Sequence, residues 1–396
     1  MGKRKFNEDY VGRYYAFVDS VNASEDENGH RVQLVLDAIS YEAHNDPSRS
    51  SESDDGLAIM RLEVWNFLRL AAPLSMDYLE GTWLEIKIGR RPDGPSITKL
   101  DATNSYAGQP EQFYLLNFEL LSWTEAGRLG LTNSEESTPE AIWDNGYGLT
   151  SSYNNVGSAK NRVRVLDVGH ASCAAIHDNP EKSNRVIGYY DVGAPVYFHL
   201  KDFPKVFKEH VRVPNDGEGF VALSHWDFDH YSLAVTKLPQ LRTLKWYAPF
   251  QAVGKNCLRL QKLVGGNLTF ISAATYGILP DVLLFRGTAS YSDRNNSGYA
   301  ARVGTMNEAY LLAGDVGYLH LSPFATMNLL GLGITHHGGR GADHPPPPLA
   351  KNLKAVVSYG AKNTYGHPKI DSLLEHANAG WKIIETAQPK RGDRWL

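Results

Sequence analysis

The sequence has little cysteine and no long apolar segment. Its 396 residues include two cysteines, Cys173 and Cys257, too few for a disulfide framework, so both are expected to be buried free thiols. No run of about 18 or more apolar residues is present, which excludes a transmembrane helix. The basic N-terminus lacks the apolar segment of a signal peptide. We therefore expect a cytoplasmic protein that does not interact with membranes.

An excess of basic residues is also lacking. The formal net charge is −4 and the isoelectric point is about 6.4, which is not typical of a nucleic-acid-binding protein. These values do not exclude a nuclease, because divalent metals can neutralise phosphate themselves. The first 110 residues contain 12 Lys and Arg against 18 Asp and Glu. Their carboxylates would repel a phosphate backbone, so we expect this region to bind a protein partner.

The distribution of apolar residues divides the chain into two parts. Residues 1–110 contain segments with partial alternation of apolar side chains, which predict strands at 14–21, 30–42, 59–67, 83–89 and 97–102. With a short helix before the fourth strand, this order is typical of an OB-like barrel, and a small β-sandwich fits nearly as well. Residues 111–155 are predicted to be a linker, and residues 156–396 a second domain in which strands and helices alternate.

Four potential metal ligands lie close together at the end of an apolar run. The segment GFVALSHWDFDH, residues 219–230, contains His225, Asp227, Asp229 and His230. In extended backbone the side chains of His225 and Asp227 point to the same side, and a turn after the strand would bring the other two inward. Imidazole and carboxylate groups are ligands of Zn²⁺ and Mn²⁺. The spacing therefore predicts a metal site.

This segment resembles the H-x-H-x-D-H motif of the metallo-β-lactamase superfamily, with Asp227 at the position of the second histidine. Further motifs follow in that family's order, and the set is most similar to the metallo-β-lactamase-like domain of the ComEC competence channels. The similarity covers roughly residues 160–390. Its other motifs are DVGHAS (167–172), RNNSGYAARV (294–303), LLAGDVG (311–317), GITHHGG (333–339) and VVSYGAKNTYGHP (356–368).

The resemblance implies an α/β fold: a four-layer αβ/βα sandwich, here preceded by the small all-β, OB-like N-terminal domain. It also implies one or two divalent metal ions, Zn²⁺ or Mn²⁺, with Asp315 as the bridging carboxylate. Asp227 in place of histidine makes the ligand set harder and shifts the preference toward Mn²⁺. The metal ligands that it implies are His225, Asp227, Asp229, His230, Asp315 and His336.

The resemblance implies supporting roles for further residues. His336 is preferred as a ligand because it comes first after its strand, which leaves its neighbour for a substrate-binding or supporting role. Asp229 and His367 are the predicted catalytic residues. His367 could bind phosphate or protonate a leaving oxygen, and packing in the turn is an equal alternative. Asp167 and Asp191, at strand ends, are expected to fix the geometry of the metal loop. The remaining candidates for substrate contact or support are His337, Asn295, Asn296 and His170.

The implied function is a metal-dependent hydrolase. By analogy of fold, it would be a phosphodiesterase or nuclease that acts on DNA through a metal-bound hydroxide, and it could be the effector of an antiviral defence system. One alternative is hydrolysis of a small molecule such as a cyclic nucleotide or a lactone, which the acidic isoelectric point favours. Another is a non-catalytic scaffold, which is favoured by Ser172 at a position where the family has an acidic residue.

Overall fold

In the computed structural model the chain divides into two units. It describes residues 9–26, 29–65, 79–92, 94–104, 106, 108–132, 142–144, 161–178, 185–195, 211–214, 218–361, 363 and 365–396. Of these, unit 1 comprises residues within Met1–Pro139 and Ala252–Leu263. Unit 2 comprises residues within Glu140–Val196, Phe203–Gln251 and Val264–Leu396. Most of the helix predicted before the fourth strand and much of the predicted linker lie outside the described residues.

Unit 1 is built on six strands that pair antiparallel throughout. They are β1 (Tyr10–Asp26), β2 (Gly29–Ser40), β3 (Leu57–Trp65), β4 (Trp83–Gly89), β5 (Ser96–Asp101) and β6 (Glu111–Leu121). The strands close into a barrel in the order β1-β2-β3-β5-β6-β4. Strand β6, which begins inside the predicted linker, pairs with both β4 and β5. The barrel closes through this strand and leaves no open sheet edge.

The barrel interior follows from the alternation of side chains along each strand. Every second residue faces inward, which buries Ala16, Leu34, Leu36, Met60 and Ile86 in one core. The helices that the structure describes in unit 1 are short and lie outside this core. They are Tyr41–His44, Trp123–Arg128 and Lys255–Val264, with a 3₁₀ turn at Ala102–Asn104.

The helix Lys255–Val264 begins at a carboxylate of the barrel. Asp37 on β2 is buried and accepts hydrogen bonds from the backbone N–H groups of Asn256, at 2.9 Å, and Cys257, at 3.2 Å. The Asn256 amide adds a further donor at 2.7 Å. Gly254 makes this approach possible, because a Cβ there would lie 2.1 Å from Cγ of Asp37. Asp37 therefore caps a helix that lies more than two hundred residues away in the sequence.

Unit 2 contains two large sheets. Its strands are β7 (Ile142–Asp144), β8 (Arg162–Val165), β9 (Cys173–His177), β10 (Val186–Val192), β11 (Phe220–Ala222), β12 (Lys245–Pro249), β13 (Leu268–Ile271), β14 (Thr275–Leu279), β15 (Val282–Arg286), β16 (Tyr299–Gly304), β17 (Ala309–Leu312), β18 (Leu329–Gly333), β19 (Lys354–Val357), β20 (Lys382–Glu385) and β21 (Arg394–Trp395). One sheet has the order β21-β8-β9-β10-β11-β12-β13-β7, and the other has the order β14-β15-β16-β17-β18-β19-β20.

The two sheets pack face to face. One apolar cluster combines Ile176 and Tyr190 of the first sheet with Leu284 and Leu312 of the second, as in sandwich cores. Within the described residues, this unit has helices at Phe228–Tyr231, Pro323–Thr326 and Ile370–Asn378. Its 3₁₀ turns are Ser232–Ala234, Pro239–Thr243, Gly265–Asn267, Tyr318–His320 and Thr335–Gly338. No helix in the described part of the chain is long and apolar enough to cross a membrane.

The predicted fold class, a four-layer αβ/βα sandwich preceded by an OB-like domain, is wrong. The protein is mostly β, with 39% of residues in strands and 19% in helices, and the N-terminal barrel has six strands. The reason lies in the connections between strands. Strands β8–β10 and β14–β17 pair antiparallel with their neighbours in sequence. An antiparallel pair needs only a turn, whereas a parallel pair needs a crossover that is usually a helix.

The Asp37 contact predicts a large effect of mutation on the stability of unit 1. Asp37→Ala would leave two backbone N–H groups and the Asn256 amide without their acceptor, which should cost about 2–4 kcal/mol of unfolding free energy. Urea denaturation followed by circular dichroism measures this loss. Asp46→Ala is the matched control, since Asp46 is exposed and its carboxylate accepts hydrogen bonds from Ser48 within its own turn. Equal unfolding midpoints for the two variants would contradict the assigned role.

Candidate metal centre

The candidate ligands follow the ends of strands in both sheets of unit 2. His225 and Asp229 come after β11, Asp315 comes after β17, and His336 and His337 come after β18. Strand β11 runs parallel to β10 and β12, and β17 runs parallel to β18. The carboxyl ends of parallel strands meet at one edge of a sheet, where α/β proteins commonly place their sites. Residues distant in sequence thus converge here.

Two overlapping groups of donors in this region could hold a metal ion. The first is His225, His230 and Asp315, and the second is Asp229, His230 and His337. Within each group the donor atoms lie within 4.8 Å of one another. All these residues are buried except Asp229, which is partly exposed.

Asp315 directs its two oxygens to different histidines. Its Oδ1 lies 3.5 Å from Nε2 of His230, and its Oδ2 lies 4.0 Å from Nε2 of His225 and 3.3 Å from Nδ1 of His336. Burial raises the pKa of Asp315, but the three histidines outweigh burial and hold this pKa well below its usual value. The carboxylate is therefore ionised, and it lies between His230 on one side and His225 and His336 on the other.

The buried imidazole nitrogens test whether these residues fit a metal ion. The Nε2 atoms of His225, His230 and His337 are buried, and none has a hydrogen-bond partner within the described ranges. Buried polar atoms are nearly always paired, so three such atoms facing carboxylates at 3.3–4.0 Å form a suitable set of ligands. Nitrogen and carboxylate oxygen are also the donors that Zn²⁺ and Mn²⁺ accept. The residues fit the ion.

The opposite ring nitrogens are held by partners. Nδ1 of His230 donates to Oδ2 of Asp191 at 2.8 Å, and Nδ1 of His337 donates to the carbonyl of Ser358 at 2.7 Å. A proton fixed on Nδ1 makes Nε2 the atom that can bind a metal ion once it is deprotonated, as is usual for metal-binding histidines. Burial lowers the pKa of His230, but nearby carboxylates, Asp191 first, raise this pKa well above the usual value. The centre therefore concentrates negative charge that a cation would neutralise.

Asp191 is the hub of these supporting contacts. It is fully buried at the end of β10 and has a left-handed backbone, with φ of 55°. Besides His230, its carboxylate accepts from Ser172 Oγ at 2.9 Å, Ser224 N at 2.8 Å and Ser224 Oγ at 3.0 Å. Ser172, which stands where the resembled family has an acidic residue, thus supports a carboxylate supplied by another strand.

Asp227 lies outside both donor groups. Its Oδ2 is 3.3 Å from Nε2 of His225, and its Oδ1 is 2.7 Å from Nη2 of Arg294. Burial raises the pKa of Asp227, but Arg294 and His225 outweigh burial, and the net effect lowers it. One oxygen of Asp227 is therefore engaged by a guanidinium and the other faces the centre.

Of the two adjacent histidines, the structure places His337 in a donor group and leaves His336 outside. Both residues have left-handed backbones, with φ of 47° and 52°, which is uncommon for residues other than glycine and is often found at functional sites. His336 still contributes a ring nitrogen 3.3 Å from Asp315. Burial lowers the pKa of His336 more than the nearby Asp315 carboxylate raises it, so the neutral form of the ring is favoured beside Asp315.

A stack of rings borders the centre. The His170 ring lies 4.5 Å from that of His337 and 4.7 Å from that of Tyr365, and it stacks on His367 at 5.8 Å. Burial, followed by the charges of the neighbouring histidines, lowers the pKa of His367 to about 3. Gly339 is required beside it, because a Cβ there would lie 2.4 Å from the His367 ring. Both predicted residues, His170 and His367, therefore lie beside the donor groups.

The two predicted asparagines lie in a turn that supports the centre. Asn296 accepts a hydrogen bond from the backbone N–H of Gly317 at 2.9 Å, which holds the segment just after Asp315. Asn295 contributes its backbone carbonyl, which accepts from Gly298 within the same turn. Asn296 thus positions a loop that carries a candidate ligand.

Some residues at the centre were missed by the sequence analysis. Arg294 lies in the quoted RNNSGYAARV segment, and its position next to the asparagines was the available signal. Tyr365 lies two residues before His367, in the YGHP turn. Ser224 and Ser358 gave no signal, because a serine or a backbone carbonyl after a strand is common in any sequence.

Comparison with protein-family models and with curated proteins finds no match to this chain. The resemblance to the metallo-β-lactamase superfamily stays a prediction that depends on the motifs.

The geometry predicts that His230 is needed for metal binding. Protein purified in the presence of Zn²⁺ or Mn²⁺ and then dialysed should retain metal by elemental analysis. His230→Ala should lose most of this metal, because His230 belongs to both donor groups. His320→Ala is the matched control, since His320 follows Asp315 closely but belongs to neither group. Equal metal contents in His230→Ala and the unmutated protein would show that the ion binds elsewhere or not at all.

Proposed function

We propose that unit 2 is a metal-dependent phosphodiesterase, with DNA as its main substrate. The observation that carries this proposal is the position of Asp315, whose Oδ1 faces His230 and whose Oδ2 faces His225. Such a carboxylate is suited to bridge two divalent ions. Ions held in this way would polarise a phosphoryl oxygen and activate a water molecule for attack. The motif resemblance supports the same reaction class by analogy.

The residues of this chain divide between the two proposed ion positions. Asp229, His230 and His337 would hold one ion, and His225 with Asp227 would hold the other, with Asp315 shared between them. We propose Zn²⁺ or Mn²⁺ as the ion. The several carboxylates in the set add weight to Mn²⁺, because harder ligands suit harder cations.

Two of the candidate ligands are clearly more exposed than the rest. The side chain of Asp229 is 27% exposed and that of His336 is 19% exposed, whereas the other candidate ligands are exposed by 9% or less. A phosphate group would therefore enter past Asp229 and His336. The surrounding burial excludes most water, which strengthens electrostatic interactions with an anionic substrate.

His367 is suited to contact the phosphate. Its two ring nitrogens are buried, and neither has a hydrogen-bond partner in the part of the chain that the structure describes. Without substrate, burial keeps the ring neutral, with a pKa lowered to about 3. A phosphate oxygen beside it would accept the N–H hydrogen bond and favour the protonated ring, which could then donate a proton to a leaving oxygen.

The distribution of charge favours a polyanionic substrate for unit 2. Residues 161–396 carry 26 Lys and Arg against 19 Asp and Glu, a formal charge of +7, whereas residues 1–160 carry 14 against 25, a formal charge of −11. The acidic isoelectric point of the whole chain therefore reflects its first part. Four of these acidic residues, Asp191, Asp227, Asp229 and Asp315, and one basic residue, Arg294, lie at the centre, so the rest of this part is more basic still. We propose that the acidic first part binds a protein partner, as in the effector of a defence system.

The proposal predicts that Asp315 is essential for cleavage. With Mn²⁺ or Zn²⁺ added, the protein should degrade linear DNA, and Asp315→Asn should reduce the rate by roughly a hundredfold or more, because a shared negative ligand is lost. The measurement is loss of full-length DNA on a gel over time. Asp343→Asn is the control, since Asp343 is an exposed carboxylate in unit 2.

Two outcomes would contradict the nuclease proposal. Full activity of Asp315→Asn would remove Asp315 from the centre. Survival of both DNA and RNA, together with hydrolysis of bis-p-nitrophenyl phosphate, would favour a small-molecule phosphodiesterase instead.

A further inference from the structure

Buried groups of opposite charge stand behind the two halves of the centre. Behind His230 lies the carboxylate of Asp191, with its Oδ2 2.8 Å from Nδ1 of His230. Behind Asp227 lies the guanidinium of Arg294, with its Nη2 2.7 Å from Oδ1 of Asp227. The side chains of Asp191 and Arg294 are exposed by 0% and 1%, so solvent screens neither charge effectively.

Arg294 is held in place by the loops that it joins. Its Nη2 also donates to the carbonyl of Trp226 at 2.8 Å. The amide of Gln251 donates to the Arg294 carbonyl at 2.7 Å, and its Oε1 accepts from the backbone N–H of Trp226 at 3.3 Å. The guanidinium is thus held beside the segment that carries His225 and Asp227.

These opposite charges act differently on a bound cation. A carboxylate that accepts from Nδ1 makes Nε2 of the same imidazole a stronger donor to metal. A guanidinium takes one oxygen of the ligand carboxylate, and its positive charge repels a cation across a medium of low dielectric constant. The ion position that contains His230 should therefore bind a cation more tightly, and the ion position that contains Asp227 should bind one more weakly.

We propose that Arg294 makes the two ion positions unequal, so that one ion binds tightly at Asp229, His230 and His337 and a second binds weakly at His225 and Asp227. This inference rests on the proposed two-ion centre. The protein would then hold one ion permanently and acquire the second only when the free metal concentration is high. Arg294 acts through Asp227 and is a positioning residue.

Titration of metal-free protein with Mn²⁺ by isothermal calorimetry tests this inference without any assay of catalysis. The unmutated protein should show two classes of site whose dissociation constants differ at least about tenfold. Arg294→Met, which keeps a long apolar side chain, should tighten the weaker site by about tenfold or more and leave the tighter site unchanged. Asp191→Asn should instead weaken the tighter site by about tenfold to a hundredfold.

Arg302→Met is the matched control. Arg302 is equally buried, and its guanidinium donates to the backbone carbonyls of Thr305 and Met327. This variant should lose stability and keep both dissociation constants.

Several results would overturn the inference. Arg294→Met could lose the weaker site or keep both constants unchanged, and either result would mean that Arg294 serves only to support the fold. If Arg294→Met does not fold, Asp191→Asn is the deciding variant. An Asp191→Asn protein in which neither site binds Mn²⁺ more weakly, or only the weaker site does, refutes the inference. A single class of site in the unmutated protein, by contrast, would refute the proposed two-ion centre itself.

Discussion

The hydrogen bond between Asp191 and His230 is the interaction on which the rest of the centre depends. It joins the end of β10 to the segment after β11, and it fixes which nitrogen of His230 faces Asp315. A fully buried carboxylate is costly unless it is paired and hydrogen-bonded. Ser172 and Ser224 supply the remaining donors, so both oxygens of the buried Asp191 carboxylate are hydrogen-bonded.

The two sheets of unit 2 bring the other candidate ligands next to this local contact. Each sheet ends its parallel strands at the same edge, and the segments after β11, β17 and β18 carry the donors. The left-handed backbones of His336 and His337 direct two adjacent rings to different partners, Asp315 and Asp229. Strain of this kind persists only where surrounding structure enforces it, and here it brings both rings to the centre.

The sequence predicted what is local and missed what depends on distant contacts. His225, Asp229 and His230 could be identified because their spacing lies within a single loop. The pairing of Arg294 with Asp227 spans 67 positions and leaves no local pattern. The side-chain directions of His336 and His337 depend on a left-handed backbone that apolar periodicity does not reveal. The prediction of the fold class was wrong because alternating apolar segments do not distinguish a helical crossover from a turn between antiparallel strands.

Anomalous diffraction from crystals grown with Mn²⁺ tests most directly whether this cluster of histidines and carboxylates is a metal centre. The account predicts anomalous density at about 2.0–2.3 Å from an Asp315 oxygen and from Nε2 of His230, with a second, weaker peak beside His225. The account would be contradicted if no anomalous density appeared beside Asp315 and His230 and Nε2 of His230 were hydrogen-bonded directly to a carboxylate. In that case the buried donors would form an ion-paired core with no role in metal binding.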